Sequence, residues 1–573
     1  MRFRFVTYRW GAELMGGAEL HHRRLARELA DLGHEVDVYT TDGGAIRPFC
    51  HWGIEWSRRG EAAEEDTDMP VRRFPLRIAP RWRMALEAKA LQFLMEREEA
   101  RVPQSFLEAL LAGAGTSPGL YALNGWHHPE VSGHRPVRWT QPRANAALVL
   151  DGPSEGELRI AGQSPQANRL EIVQDGLAVL RRRIGPGWFD MRTRLAPTKK
   201  HTFLTFGCQR PWRPWRDFRA LGFQIYDLEW HDNSGAALTA DLWDDYRTLG
   251  RRSPELWHQH LLNRAGARPW LAGRFFDTLR GPNAPALRRT LAEEELPAGS
   301  TIYCNLPWAT MSIMPAGALA MPLWHIEDDF FYWRHWLDRL KQSRLVLANN
   351  PYAAEHFYPR LGIPAAFVGP PIWQPETPVS STAREDLRKR CGAAPEDILV
   401  LTVCRKSPEK RYEAVAEAVH TLRGGGVPVR MAGVGPDGDR RPFVYTGCEW
   451  LGPLSGEDLQ AAYAACDVFA LMSESESFGM VIPEAWHHGK PVLANRLCGP
   501  AASLLEDGVD GLAVTPGREL VEALRTLAGD PSRRAALGGA GRRKAMRLYV
   551  RGASAGRLLR AMEGIKHVRS SSL

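Results

Sequence analysis

Hydrophobic and polar positions follow several successive textures along this 573-residue chain. Apolar residues cluster from Arg2 to Tyr8, predicting a strand, and Met15-Gly16-Gly17 then supplies a turn. Leu25, Leu29 and Leu32 recur at helical spacing, Gly33 reads as the stop, and Glu35 to Tyr39 reads as the next strand. Strand, glycine turn, helix and strand together open a doubly wound parallel sheet. Arg81 to Leu111 reads as one or two helices. From Thr116 to about His231 the texture becomes short apolar runs, ALVL, ELRI, LEIV, LAVL, FLTF and FQIYDLEW, parted by Gly, Pro, Asn and Asp. Asp175-Gly176 within Leu170 to Leu180 predicts a hairpin, and the block predicts an inserted β-sandwich or jelly roll.

Helical spacing returns from Asp241 to about Glu295. Strand-and-helix alternation follows in TIYCNLPW (Thr301 to Trp308), MPLWH (Met321 to His325), FFYWRHWLDRL and LVLAN (Leu345 to Asn349). The Pro-rich GPPIWQPETP, Gly369 to Pro378, marks a boundary. Beyond it ILVLTVC, YEAVAEAVHTL, PVRMAG, a helix capped at Ser455, VFALM and PVLAN alternate as a second doubly wound domain. The expected fold class is α/β, with a first Rossmann-like domain in residues 1–115 and 233–374, a β-rich insert at 116–232, and a second Rossmann-like domain at 375–573.

Composition narrows the function. With 44% hydrophobic and 24% charged residues the chain is an ordinary globular protein, and no apolar run reaches the length of a spanning helix. MRFRFVTYRWG reads as a strand, being too polar for a leader. Eight scattered cysteines without a CxxC pair disfavour a disulfide framework or structural zinc and suit a reducing cytoplasm. The net charge of +8 implies a basic surface fit for anionic donors or for peripheral contact with anionic lipid at the inner membrane face. No block of five basic residues is present, so a nucleic-acid arm is not expected.

The densest chemistry lies in SESESFGMVIPEAWHHG, Ser473 to Gly489, directly after VFALM. An apolar strand there enters an acidic, glycine-containing loop and then a helix, with Glu476 before the helix start and Glu484 after it. Free N–H groups and the dipole at such a start favour a diphosphate, and carboxylates accept strong hydrogen bonds from sugar hydroxyls. Phosphate beside polyol describes a nucleotide sugar. Arg405 follows the strand ILVLTVC, and Lys410 precedes the helix from Tyr412, so two cations stand where a leaving diphosphate would need them. Taken singly, each has a plainer reading, as solvated charge or as a dipole-complementing first-turn glutamate.

On these residues the chain resembles the retaining GT-B glycosyltransferases, in the large family that includes bacterial polysaccharide and glycolipid transferases. The resemblance covers VCRKSPEKRYEAV, MAGVGPDG, CEWLGPLSGEDLQAAYAACDVFALMSESESFGMVIPEAWHHGKPVLANRLCGP and LEDGVDGLAV, and more sparsely MGGAELHHRRLARELADLGHEVDVYTT and MPLWHIEDDFFYWRHWLDRL. It implies two Rossmann-like domains, here with the β-rich insert in the first. It implies catalytic roles for His325, Arg405, Lys410 and Glu476, the last holding donor-sugar hydroxyls. It also implies donor contacts from Gly16, Gly17, Ser477, Phe478, Gly479, Met480 and Glu484, the last gripping the nucleotide ribose. The implied substrates are a UDP- or GDP-linked sugar and a glycan or lipid-linked glycan acceptor, with no metal and no further cofactor. Helix capping is the expected use of Glu327, Asp328 and Asp329 beside His325. One departure stands out: the loop after PVLAN reads Cys498-Gly499-Pro500, and Ser503 occupies the family's usual glutamate position. Trp212, Trp215 and Trp230 suit core packing or a sugar-stacking platform. An epimerase or phosphorylase of the same fold, and a catalytically weak glycan-binding scaffold, stand as alternatives.

Overall fold

The computed structural model describes the chain except at residues 8, 12–16, 51–52, 59–68, 78–79, most of 81–101, 128–129, 133–134, 215–218, 243–245, most of 254–283, 295–299, 305–313, 323–336, 373–377, 439–442 and 571–573. It divides into two compact units, one of Met1–Ala45, Trp56–Ile78 and Arg268–Leu573, the other of Ile46–Glu55 and Ala79–Ala267.

The first unit holds two parallel sheets. One has seven strands in the order Ala365–Phe367, Leu345–Ala348, Leu319–Met321, Thr301–Cys304, Arg2–Val6, Glu35–Thr41 and Val71–Phe74. Alternation within Arg2–Val6 explains its place at the centre. Phe3 and Phe5 face a core shared with Leu25 and Leu29 of the helix Gly17–Asp31. Arg4 faces the other way, where Asp37 neutralises it at 2.5 Å and the Tyr39 ring lies 4.0 Å from its guanidinium carbon. Leu32, expected in the helical stripe, is 52% exposed, because the helix ends at Asp31 and Gly33, at φ +80°, turns the chain away. Of MPLWH only Met321 is in a strand, which begins earlier at Leu319, and residues 323–325 lie outside the described chain.

The second parallel sheet has six strands in the order Cys448–Trp450, Val429–Val434, Ile398–Val403, Val468–Leu471, Val492–Asn495 and Gly511–Val514. Its inner strands are apolar on both faces, as a sheet covered by helices on both sides requires, and two cores lie against it. Ser455 holds the N-cap position of Gly456–Ala465, but its hydroxyl makes no capping hydrogen bond. The last helix, Ala553–Ser570, leaves this sheet and returns to the first one. Ala555, Leu558 and Met562 enter the core of Phe3 and Leu25, and the Glu28 carboxylate accepts from the N–H groups of Gly552 at 2.7 Å and Ala555 at 2.9 Å.

The second unit contains two antiparallel sheets around one core that includes Leu148, Ile160, Ile172, Phe206 and Trp230. One sheet runs Leu177–Ile184, Asn168–Gln174, His201–Cys208, Arg143–Val149 and Gly119–Ala122. The other includes Gly187–Leu195, Gly156–Ser164 and Gln224–Asp232. Asp175 and Gly176, at φ +45° and +91°, make the hairpin turn between Asn168–Gln174 and Leu177–Ile184, since two positive φ values match the twist of the paired strands. Trp230 is in the core and Trp212 is 39% exposed beside Trp139, so these two do not form one platform, and Trp215 lies outside the described residues.

Candidate functional site

The carboxyl ends of the adjacent central strands Ile398–Val403 and Val468–Leu471 deliver two loops side by side. The first carries Arg405 and, in the tight turn Pro408–Lys410, the lysine. The second is the acidic loop leading to the helix Val481–His487. Hydrogen bonds lace them together. Lys410 Nζ donates to Glu476 Oε1 at 2.7 Å, Arg411 Nη1 donates to Glu474 Oε1 at 2.7 Å, and Glu474 N donates to Glu409 O at 2.9 Å. Arg411 makes its bond from a left-handed backbone, φ +48°, an uncommon state for a side-chain-bearing residue and one that the surrounding bonds must hold.

Lys410 and Glu476 are both nearly buried, with side-chain exposures of 12% and 13%. Burial acts to lower the lysine pKa, and the Glu476 carboxylate outweighs it, so the ammonium is held above its ordinary value. A second Lys410 N–H reaches Ser475 O at 3.3 Å. Arg405 is different in kind. Its guanidinium is 59% exposed and braced by Glu409 at 2.7 Å and Ser407 at 3.3 Å. Glu409 itself is pushed up by burial, but Ser407 and Arg405 carry its carboxyl below the usual range. The loop after Val429–Val434 closes over this side. A Cβ on Gly435 would stand 1.9 Å from Cys404 O, so only glycine permits that approach to the strand end before Arg405.

Glu484 sits in the first turn of Val481–His487, and its Oε2 accepts from the Tyr463 hydroxyl at 2.8 Å. Burial raises the Glu484 carboxyl above its ordinary value, opposed by the Tyr463 hydrogen bond and the charge of Arg24. Arg24 comes from the first helix and donates to Pro371 O at 2.8 Å. His488 stacks on Tyr463 at 5.7 Å and meets Gln460 at 2.6 Å, and burial depresses its pKa to about 4. Between the glutamates, Gly479 adopts φ +89°, which turns the loop into the helix. Among the described residues the backbone N–H groups of Phe478, Gly479 and Met480 find no backbone acceptor.

The expected site residues are therefore distributed unevenly. Arg405, Lys410, Glu476, Ser477, Gly479, Met480 and Glu484 lie on the two loops and the start of the motif helix. The Phe478 side chain instead packs inward between Phe367 and Tyr549. Gly17 begins the first helix, while Gly16 and His325 lie outside the described residues. Ser503 donates to Pro500 O at 3.0 Å and accepts from Tyr352 N at 3.3 Å, so it ties the departing loop to the first sheet's 350–352 turn. Sequence reasoning missed Glu409, Arg411, Tyr463 and Asn350, whose Nδ2 donates to Ser477 O at 2.8 Å. Only Asn350 left a signal, since Asn-Asn-Pro after an apolar strand marks a functional turn.

Comparison with known proteins bears on this region. Residues 383–544, which include both loops and Glu484, match the family model described as glycosyl transferases group 1. Sulfoquinovosyl transferase SQD2 of Arabidopsis thaliana is 36% identical over 154 residues, 26% of this chain and 30% of that protein. A D-inositol 3-phosphate glycosyltransferase of Actinosynnema mirum is 33% identical over 176 residues, 27% of this chain and 42% of that protein. The match thus spans less than half of the length of these relatives. Among solved structures, the pneumococcal O-GlcNAc transferase GtfA in complex with UDP and GlcNAc aligns over 99% of both chains, at 12% identity and a TM-score of 0.46.

Proposed function

We propose that this chain is a glycosyltransferase that moves a sugar from a nucleoside diphosphate donor to a glycan or glycolipid acceptor, with retention at the anomeric carbon. The observation that carries the reading is the near-buried Lys410–Glu476 pair beside the exposed Arg405 at adjoining strand ends. An ammonium has three N–H donors. Glu476 and Ser475 O engage two of the Lys410 set, which leaves one for a phosphate oxygen. Arg405 adds a planar, solvent-facing guanidinium, and the backbone N–H groups of 478–480 add fixed dipoles. As the bond from the anomeric carbon to the diphosphate breaks, charge grows on the leaving oxygen, and these preorganised groups meet it without reorganisation.

Glu484 accepts hydrogen bonds from the ribose through the oxygen that Tyr463 leaves open, and Glu476 orients the donor sugar. Both carboxylates are already committed, to Tyr463 and to Lys410, so neither suits the nucleophile of a double displacement. The acceptor hydroxyl then attacks from the face the diphosphate leaves: its C–O bond forms as the C–O(P) bond breaks, and its proton passes to the leaving phosphate oxygen. Gly16 and His325 enter this reading through the resemblance alone, while a cytoplasmic place rests on the scattered cysteines and a contact with the inner membrane face on the net charge of +8. Among the described residues no helix is long and apolar enough to cross a membrane.

The names of the relatives share glycosyl transfer and differ in the group or acceptor they specify, so the acceptor is left to experiment. A panel of UDP- and GDP-sugars, read by thermal shift, nucleotide release and the anomeric configuration of the product, tests the reading. One nucleotide class should stabilise the protein and be consumed in the presence of acceptor. Epimerised sugar without transfer would identify an epimerase, and absence of any turnover would leave the scaffold reading standing.

A further inference from the structure

The outer face of the second unit's Leu177–Ile184-containing sheet is divided between two kinds of surface. At one end Ala147, Val149 and Phe203 are buried among residues of the helices Gln104–Gly113 and Tyr246–Arg252. At the other end the strand register sets arginines side by side. Arg169 lies directly opposite Arg183 on the neighbouring strand. The next row reads Arg143, Gly207, Glu171 and Arg181 across four strands. Leu170, Ile172 and Phe206 alternate with these residues and point into the core, so the arginine rows are on the outer face, and all four arginines are exposed. Asn168 pins the backbone of a fifth exposed arginine, Arg210, through bonds of 3.1 Å to its N–H and 2.8 Å to its carbonyl. Of these five arginines only Arg181 has a carboxylate partner among the described residues, Glu171.

Like charges placed directly opposite each other across two strands weaken a sheet, so Arg169 beside Arg183 works against the fold that carries it. A bound polyanion would offset that repulsion. Planar guanidinium groups match carboxylate, sulfate and phosphate oxygens two at a time. At a strand spacing of about 4.8 Å, Arg143 and Arg181 stand roughly 14 Å apart across the sheet, with the side-chain-free Gly207 between them. Thr205 and Asn145, hydrogen-bonded at 2.7 Å, form a polar row beside them. Single-stranded nucleic acid needs aromatic platforms for its bases, and a membrane surface is anchored by apolar side chains. Neither is present in these rows. We propose that this end of the sheet binds an anionic polysaccharide lying across the strands. The proposal is independent of sugar transfer, because it requires no donor.

Binding to the full chain should be measured at low salt with heparin and polygalacturonate as sulfated and carboxylated probes, dextran as the neutral one, and a single-stranded oligonucleotide and phosphatidylglycerol vesicles as competitors of other classes. The anionic glycans should bind and dextran should not. Arg169→Glu with Arg183→Glu should weaken glycan binding roughly tenfold or more. Arg533→Glu with Arg543→Glu, which changes the net charge equally on another surface, should not. Arg169→Gln alone relieves the like-charge pair, so it should keep or raise Tm while still weakening binding, which separates recognition from folding. Glycan binding that is absent, or indifferent to the Arg169 and Arg183 changes, would overturn the proposal. So would tighter binding of the oligonucleotide or vesicles with the same sensitivity.

Discussion

Replacing Tyr463 with phenylalanine removes one hydroxyl and keeps the ring that is packed, fully buried, against His488. The hydroxyl donates to Glu484 at 2.8 Å, and it holds the carboxyl lower than burial alone would leave it. In the proposed ribose role, the ionised Glu484 carboxylate is the strong acceptor, and protonation turns one of its oxygens into a donor. Donor binding is therefore complete above the raised pKa of this carboxyl and is lost as pH falls through it. Without Tyr463 that pKa rises further, so the acid limb of the donor kcat/KM profile moves to higher pH. A hydrogen bond to a charged group contributes about 1.5–3 kcal/mol. Arg24 still stands as counter-charge in the variant, so the lower end applies, and donor KM should rise by up to about tenfold on the acid side of that limb and converge with the unsubstituted protein's above it. kcat should be nearly unchanged, because a ribose contact serves ground state and transition state alike. Steady-state kinetics from pH 5 to pH 9 measure both quantities. An unmoved acid limb together with an unchanged KM would refute the assignment of Glu484 to the ribose and of Tyr463 as its positioning residue.

The two cations should separate in a pair of measurements. Lys410→Met strands Glu476 in a nearly buried site, so unfolding free energy should fall by about 3 kcal/mol, along with a loss of turnover of at least about a hundredfold. Arg405→Ala should cost turnover on the same scale but leave urea stability within about 0.5 kcal/mol, since its guanidinium is mostly exposed. Equal stability effects from the two would mean that the Lys410–Glu476 pair is not desolvated. Gly541→Ala is a test of the motif helix's support: the new Cβ would lie 2.1 Å from Trp486 Cδ1, so a loss of about 1–3 kcal/mol is expected, read as a lowered Tm.

Legibility in the sequence followed burial. Val468–Leu471 is apolar throughout, and Ile398–Val403 is apolar but for Thr402, because helices cover both faces of their sheet, and such runs are readable without knowing the fold. Gly187–Leu195 escaped notice because Asp190, Arg192 and Arg194 on its solvent side interrupt the apolar residues Phe189, Met191 and Leu195 on the other. In the candidate site, residue types could be picked out but not their partners. Lys410 and Glu476 are 66 positions apart, and Tyr463 reaches Glu484 across 21, distances that only the folded strand ends close. The strained backbone of Arg411 is invisible in a residue type that rarely adopts it.

The return of Ala553–Ser570 to the first sheet has a consequence for synthesis. Phe3 and Leu25 leave the ribosome long before Ala555, Leu558 and Met562, which complete their core, since Glu28 and Ala555 are 527 positions apart. The nascent chain therefore carries an unfinished apolar surface, and the Glu28 carboxylate awaits the N–H groups of Gly552 and Ala555, until that helix has been made. The second sheet gathers its strands from a continuous later stretch and can close before that last helix arrives. Closure of the first core thus waits for Ala553–Ser570, which acts as a latch on an apolar surface otherwise open to aggregation.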